Sequence, residues 1–316
     1  MTINVVVVGG GQNCEHEVSL ASAAGVADAL NRYTYDVLEL TIAPGGIWHG
    51  QSGPLAAIPA KSLAVALMLM SECDVAIPMV HGPHGEDGTL AALFDLAGLT
   101  YVGSGVRAGA LAMDKHATKL VAESLGIRTA AGVVVTEATR LSWLDPVVVK
   151  PVSAGSSHGV QLVTDPDQLP AAVEQALTLD ERVLIEELLV GREVDIAVLQ
   201  EADGSLTVSP PLEIVYADGL FDTDRKYDGG ADFRVPAELT DVEVKELSNA
   251  AQALFTALGC RGLARFDFFL TGDGLVLNEI NSTPGLTEHS QVPRMFAAAG
   301  LNYADLIEKL ITIART

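Results

Sequence analysis

The chain has 316 residues, 49% of them hydrophobic and 19% charged, with 30 Gly and 14 Pro; this excludes a disordered or collagen-like protein and allows one large or two to three small domains. A net charge of −22 excludes binding to nucleic acid or to an anionic membrane by bulk charge, so a polyanionic ligand must be met by a few local cations and a metal. Cys14, Cys73 and Cys260 are far apart and form no CxxC, a reduced cytoplasmic pattern without a disulfide framework or zinc site. The apolar runs are too short to span a bilayer, and MTINVVVVGGG reads as a strand entering a turn, not a signal peptide. The expectation is a soluble cytoplasmic protein with small-molecule partners.

The β-branched run at 4–8, without alternation, predicts a strand buried on both faces, as in a parallel sheet. A helix over 17–31, strands at 35–40 and 73–78 and a helix over 89–97 continue an α/β arrangement. The character changes near 103–107. One helix is expected over 108–125, then strands at 132–135, 147–150, 160–163 and 183–187 with a helix near 168–178, an α+β unit with antiparallel pairing. A further antiparallel set is expected at 193–199, 205–214 and 263–280, interrupted by a Gly- and Asp-rich functional loop at 217–235 and closed by an amphipathic helix over 301–315.

The segment 263–281, LARFDFFLTGDGLVLNEIN, places two apolar strands around Gly272-Asp273-Gly274. A three-residue loop with Gly274 left-handed would pair Thr271 with Leu275 and set Asp267 opposite Glu279. Side-chain alternation then brings Asp267, Glu279 and Asn281 to one face, with Phe266, Phe268, Leu277 and Ile280 on the other. Facing carboxylates repel, and a hard divalent cation offsets that repulsion; an all-oxygen set suits Mg²⁺. Arg265 shares the face and can meet a phosphate or a developing oxyanion.

Lys150 ends the strand VVVK and is followed by PVSAGSSHG, whose backbone N–H groups and hydroxyls suit phosphate oxygens; no P-loop pattern is present. Lys115 follows Met113-Asp114. In LIEELLVGRE, Glu186 and Glu193 can accept from an adenine amino group and ribose hydroxyls. The turn GGGQNCEHEVSLASA fails as a dinucleotide fingerprint, and Glu15 at a helix start is either a dipole partner or a site for a substrate ammonium. Asp87 reads as a cap, with His81 and Glu86 as weaker site candidates.

Taken with VHGPHGEDGTLAALFDLAGLTYVGSGVRAGALAMDK, RKY and NEINSTPGLTEHS, these stretches cover nearly the whole chain in order and resemble the D-alanine–D-alanine ligase family of the ATP-grasp superfamily. The resemblance implies an α/β and α+β multidomain protein: an N-terminal parallel-sheet, substrate-binding domain over 1–105, and two ATP-grasp subdomains, central over 106–187 and C-terminal over 188–316. ATP would lie between the last two. It implies ligation through an acyl phosphate, with Asp267, Glu279 and Asn281 on two Mg²⁺ (or Mn²⁺) ions. Lys115, Lys150 and Ser157 would hold phosphates, and Glu186, Leu189, Glu193 and Phe269 the adenosine. Arg265 and the Gly285 N–H would stabilise the oxyanion. Glu15, Ser156 and Tyr227 would form a hydrogen-bonded set at the first substrate, His81 would contact substrate, and Lys226 and Ser290 would meet the second substrate's carboxylate or the nearby phosphate. It also implies a homodimer serving cell-wall precursor synthesis. Departures at 221–225, His158 and Gln291 lie near the second substrate or the phosphates, so a ligase of altered second-substrate specificity is the alternative; a silent nucleotide or D-amino-acid sensor would be expected to have lost one of these residues.

Overall fold

The computed structural model describes residues 2–137, 146–216 and 231–316. In chain order the first unit runs β1 (Ile3–Gly10), α1 (His16–Ala29), β2 (Tyr35–Ile42), β3 (Trp48–Gly50), β4 (Gly53–Pro54), α2 (Pro59–Met70), β5 (Val75–Pro78) and α3 (Thr89–Ala97). Val5 to Val8 of β1 are buried on both faces, as the unbroken apolar run predicts. β2 and β5 flank β1 in parallel, and β3 and β4 extend the β2 edge antiparallel.

The chain continues with α4 (Val106–Met113), α5 (Lys115–Ser124), β6 (Arg128–Thr129), β7 (Gly132–Val135), β8 (Val147–Pro151), β9 (Gln161–Val163), α6 (Leu169–Leu177) and β10 (Val183–Glu187). β7, β10, β8 and β9 form an antiparallel sheet covered by α6. The single helix expected over 108–125 is two. Asp114 leaves helical geometry (φ −83°, ψ 100°) and its side chain accepts the Ala117 N–H at 2.9 Å, so Lys115 begins a new, capped helix.

The last part contains β11 (Gly191–Gln200), β12 (Leu206–Val208), β13 (Leu212–Tyr216), β14 (Ala231–Arg234), α7 (Asp241–Leu258), β15 (Leu263–Thr271), β16 (Gly274–Asn281), α8 (Gln291–Ala298) and α9 (Tyr303–Ala314). The strand expected at 205–214 is split at Ser209-Pro210-Pro211, where two residues lack an N–H for the ladder. Residues 231–234 of the expected loop pair with β13 instead. Residues 217–230 of that loop, with Lys226 and Tyr227, lie outside the described residues.

β11 and β15 are the centre of a seven-stranded sheet, and their alternation builds two layers. Ile196, Val198, Ala264, Phe266 and Phe268 face α4, α5 and α7. Ala197, Leu199 and Leu263 face the opposite core, shared with α1, α8, α9 and one face of the β1 sheet. The segment 106–129, grouped by sequence with the central unit, packs into the first of these cores and adds β6 beside β16.

α7 has no counterpart in the sequence reading. Its signals are a capping box, in which Glu243 Oε2 accepts the Thr240 N–H at 2.7 Å and Thr240 Oγ1 accepts the Glu243 N–H at 3.3 Å, and the buried stripe Leu247, Ala251, Leu254, Leu258.

The β15–β16 hairpin closes by a different route from the one counted. Thr271 pairs with Gly274 across a two-residue loop, and a bulge follows between Asp267 and Phe268. Phe268 opposes Leu277 and Asp267 opposes Glu279, so Asn278 is the extra residue. The expected Asp267–Glu279 pairing therefore stands, and Asn278 joins Glu279 on the cleft side.

Leu254 is fully buried among the helices and the sheet. Leu254→Ala is expected to lower unfolding free energy by about 2–5 kcal/mol in denaturant titrations. A loss below about 1 kcal/mol would contradict this packing.

Candidate active site

Between the β7–β10 sheet and the seven-stranded sheet lies a cleft of about 410 Å³. Lys115, Lys150, Ser157, Glu186, Leu189, Glu193 and Phe269 line it, so all seven residues expected to hold a nucleotide meet there. Phe269 and Glu193 are register partners on β15 and β11. His158 and Asn278 also reach the cleft.

Both lysines are buried and fixed. Lys115 Nζ donates to the Ala154 carbonyl at 2.6 Å and lies 3.5 Å from Glu279 Oε2. Its backbone N–H donates to the Val152 carbonyl at 3.1 Å, tying the start of α5 to the β8–β9 loop. Lys150 Nζ donates to Asn278 Oδ1 at 3.3 Å and is ion-paired with Glu186. Burial pushes the Glu186 carboxyl up, but Lys150 and Lys119 outweigh it and hold it below the usual carboxylate range. In the β8–β9 loop, Ser156 and Ser157 hold left-handed backbone (φ 52° and 55°).

Alternation along β15 turns Arg265, Asp267 and Phe269 away from the helical core. Arg265 grips Asp267 through two bonds, Nε to Oδ1 and Nη2 to Oδ2, each 2.7 Å. Asn281 Nδ2 donates to Asp267 Oδ2 at 3.1 Å. Asp195, fully buried on β11 opposite Asp267, lies 3.8 Å from Arg265 Nε and accepts from Gln291 Nε2 at 2.9 Å. Burial alone would lower the Arg265 pKa; Asp267, Asp195 and Glu279 more than reverse that and raise it.

Glu15 sits at the N-cap of α1, buried, with Oε1 accepting from Ser156 Oγ. Its Oε2 has no hydrogen-bond partner. Two glycines make room for it: a Cβ at Gly82 (φ +72°) or at Gly155 would lie 2.4 Å from Oε2. Burial raises the Glu15 pKa, with Ser156 opposing and Glu279 adding to the rise. An ammonium group at Oε2 would satisfy both the orphan oxygen and the buried charge.

His81 differs from the expectation that it contacts substrate. Its Nδ1–H donates to the Thr283 carbonyl at 2.9 Å and its Nε2 accepts from Ser22 Oγ at 2.8 Å, so neither ring nitrogen is left for a ligand. Ser22 Oγ in turn accepts the Leu286 N–H at 3.4 Å. Glu86 completes this clasp, accepting the N–H of Gly82 at 2.8 Å and of Thr283 at 3.1 Å. Together they anchor the 282–290 loop, which carries Gly285 and Ser290, to the N-terminal unit. Ser290 Oγ accepts the Thr287 N–H at 3.1 Å and is 3.4 Å from where a Gly285 Cβ would stand. Burial and the nearby Glu15 push Glu86 up to about 8.

Sequence reasoning missed Lys119, Asp195 and Asn278. Lys119 carries the only readable hint, its position one helical turn after Lys115. Asn278 depends on the bulge, which no local motif announces.

Two family models match: D-ala D-ala ligase N-terminus over residues 4–104 and D-ala D-ala ligase C-terminus over residues 128–312. A D-alanine–D-alanine ligase of Mycobacterium sp. (strain KMS) is 39% identical, with 98% of this chain and 95% of that protein covered. The VanG D-Ala:D-Ser ligase of Enterococcus faecalis superposes with a TM-score of 0.81 at 32% identity, covering 99% of this chain and 100% of that one. The D-alanine–D-alanine ligase of Bacillus anthracis complexed with ATP gives 0.80 at 25% identity, covering 99% and 97%.

Within the clasp, His81 contributes an acid limb in stability, opposite in sign to the contribution of Glu86. Burial lowers His81 from 6.5 to about 4, so between those values the unfolded chain takes up a proton that the folded one refuses. Its stabilising effect is present above pH 6.5 and is lost as pH falls toward 4, by up to about 3 kcal/mol. Denaturant titrations from pH 7 to 4 should show a shallower decline for His81→Gln. Equal slopes would contradict a buried neutral ring.

Proposed function

The chain belongs to the D-alanine–D-alanine ligase family, and on that premise we propose that it joins two D-alanines into D-alanyl-D-alanine while converting ATP to ADP and phosphate. The observation that carries the reading is the buried Glu15 carboxylate, with one oxygen on Ser156 and the other unpartnered, close to a lysine-lined cleft. It offers a first amino acid's ammonium a site while its carboxylate points toward bound nucleotide.

In the first step a carboxylate oxygen of that D-alanine attacks the γ-phosphorus of ATP; the bond to the β–γ bridging oxygen breaks and ADP leaves. Lys115 and Lys150 hold the phosphates in line, and Glu186, Leu189, Glu193 and Phe269 hold the nucleoside. In the second step the amine of the other D-alanine attacks the acyl carbon. A tetrahedral oxyanion forms, and its collapse expels phosphate and leaves the peptide bond. Arg265 and the Gly285 N–H stabilise the oxyanion, Ser290 receives the second carboxylate, and the clasp from His81 and Glu86 fixes the loop that carries Gly285 and Ser290. Lys226 and Tyr227, outside the described residues, keep the roles that the family resemblance implies: Lys226 toward the second substrate's carboxylate or the nearby phosphate, and Tyr227 with Glu15 and Ser156.

Asp267, Glu279 and Asn281 fit a pair of Mg²⁺ ions, with Mn²⁺ as a substitute. They offer only oxygens of hard donors, converge on one sheet face, and Asp267 retains lone pairs on the oxygens that Arg265 grips. When bound, the ions neutralise the phosphates and align them for transfer. Family membership supports extending the reading to a cytoplasmic homodimer acting in cell-wall precursor synthesis. No helix among the described residues is long and apolar enough to cross a membrane.

Phosphate release with ATP and Mg²⁺, using D-alanine, L-alanine, or D-alanine with D-serine or D-lactate, tests the reading when products are identified by mass. Release with D-alanine alone, yielding the dipeptide, is expected. Release only with a mixed pair, or none at all, would contradict it. Asp267→Asn and Glu279→Gln are expected to lose at least about a hundredfold in kcat with the fold intact by circular dichroism. Near-unaltered rates in either would remove these residues from the metal assignment.

A further inference from the structure

Lys119 has no part in the function proposed above, yet its ammonium is buried with two polar partners, the Ala130 carbonyl and Glu186. It is buried on α5, and its Nζ donates to the Ala130 carbonyl at 2.7 Å. The same ammonium is ion-paired with Glu186 Oε2, while Glu186 Oε1 pairs with Lys150. Glu186 thus lies between two ammonium groups. Lys150 lines the cleft and Lys119 does not, so Lys119 stands behind the carboxylate. On the facing strand the Gly132 backbone closes on the same side chain: a Cβ there would lie 2.9 Å from Glu186 Cβ.

The charges of this buried group decide what the cleft offers an anion. Glu186 and Lys150 alone would cancel, and a lysine satisfied by its own carboxylate is a poor partner for phosphate. The second lysine leaves the group with one net positive charge, and of the two lysines the one that lines the cleft is Lys150. We propose that Lys119 is a positioning and charge-balancing residue for the nucleotide phosphates: by neutralising Glu186 from behind, it leaves the charge of Lys150 to a phosphate in the cleft. The inference rests on the cleft being the nucleotide site.

Titration calorimetry of the full chain with MgATP and with adenosine separates the phosphate contribution, taken as the adenosine Kd divided by the ATP Kd. Lys119→Met is expected to lower this ratio about tenfold, because the adenosine contacts remain while Lys150 is cancelled. Lys119→Arg should keep it within about threefold, since the charge is retained. Glu186→Gln has the opposite sign and should raise the ratio by about threefold or more, because the group then carries two net positive charges instead of one. The double variant Lys119→Met/Glu186→Gln should return to within about threefold of the unaltered protein's ratio, because Lys150 alone again gives the group one net positive charge. A Lys119→Met protein that loses ATP and adenosine affinity in parallel has lost structure alone, and that result overturns the proposal. So does a Glu186→Gln ratio that falls or stays unchanged; this arm decides the matter if Lys119→Met does not fold. Failure of the unaltered protein to bind ATP would instead remove the nucleotide assignment itself.

Discussion

A carboxylate with one unmet oxygen, held out of water, is the constraint around which the rest of the site is arranged. Glu15 comes from the turn between β1 and α1, and the parts that enclose it come from far along the chain. Gly82 follows β5, and Gly155 and Ser156 belong to the β8–β9 loop; a Cβ at either glycine would stand 2.4 Å from Glu15 Oε2 and displace the carboxylate from its present position. The burial that raises its pKa also makes a cationic ligand there effective, since a charge pair in a dry site is screened little. The site is therefore assembled only when the N-terminal unit and the central sheet are packed together.

The same logic governs the other buried charges. Arg265 is enclosed with Asp267, Asp195 and Glu279 around it, and Glu186 with Lys119 and Lys150. Neither group replaces water with nothing: each ion has partners of the opposite sign. The Arg265 group has more carboxylates than cations, which suits a bound cation, whereas the lysine group has a surplus positive charge and Lys150 lines the cleft. A chain with net charge −22 thereby presents local positive charge where a polyphosphate would lie. The clasp from Ser22, His81 and Glu86 performs a different task, using a neutral imidazole and backbone N–H groups to fix the 282–290 loop against the N-terminal unit.

The strands were legible where a run of β-branched residues left no other choice, as in β1, or where alternation separated faces, as in β15. The Asp267–Glu279 pairing was legible for a reason that differs from the real one: the expected three-residue loop is a two-residue loop, and the Asn278 bulge restores the count. The break at Asp114 and the helix α7 had local signals, an N-cap and a capping box, that periodicity alone passes over. Lys119 and Asp195 were hidden because a lysine on a helix and an aspartate in a strand acquire meaning only from partners distant in sequence. His81 shows the converse, since its motif marked it as important while its hydrogen bonds assign it to scaffolding. The roles of Gly285 and Ser290 came from the family resemblance; no spacing rule yields them.

The most direct test of the central claim follows an oxygen atom. With D-alanine labelled with ¹⁸O in its carboxyl group, an attack of that carboxylate on the γ-phosphorus transfers one labelled oxygen to the phosphate released when the dipeptide forms. Mass analysis of the phosphate should therefore show one ¹⁸O per turnover in ordinary water. Unlabelled phosphate formed alongside the dipeptide would contradict an acyl phosphate, and with it the placement of the first substrate between Glu15 and the lysine-lined cleft.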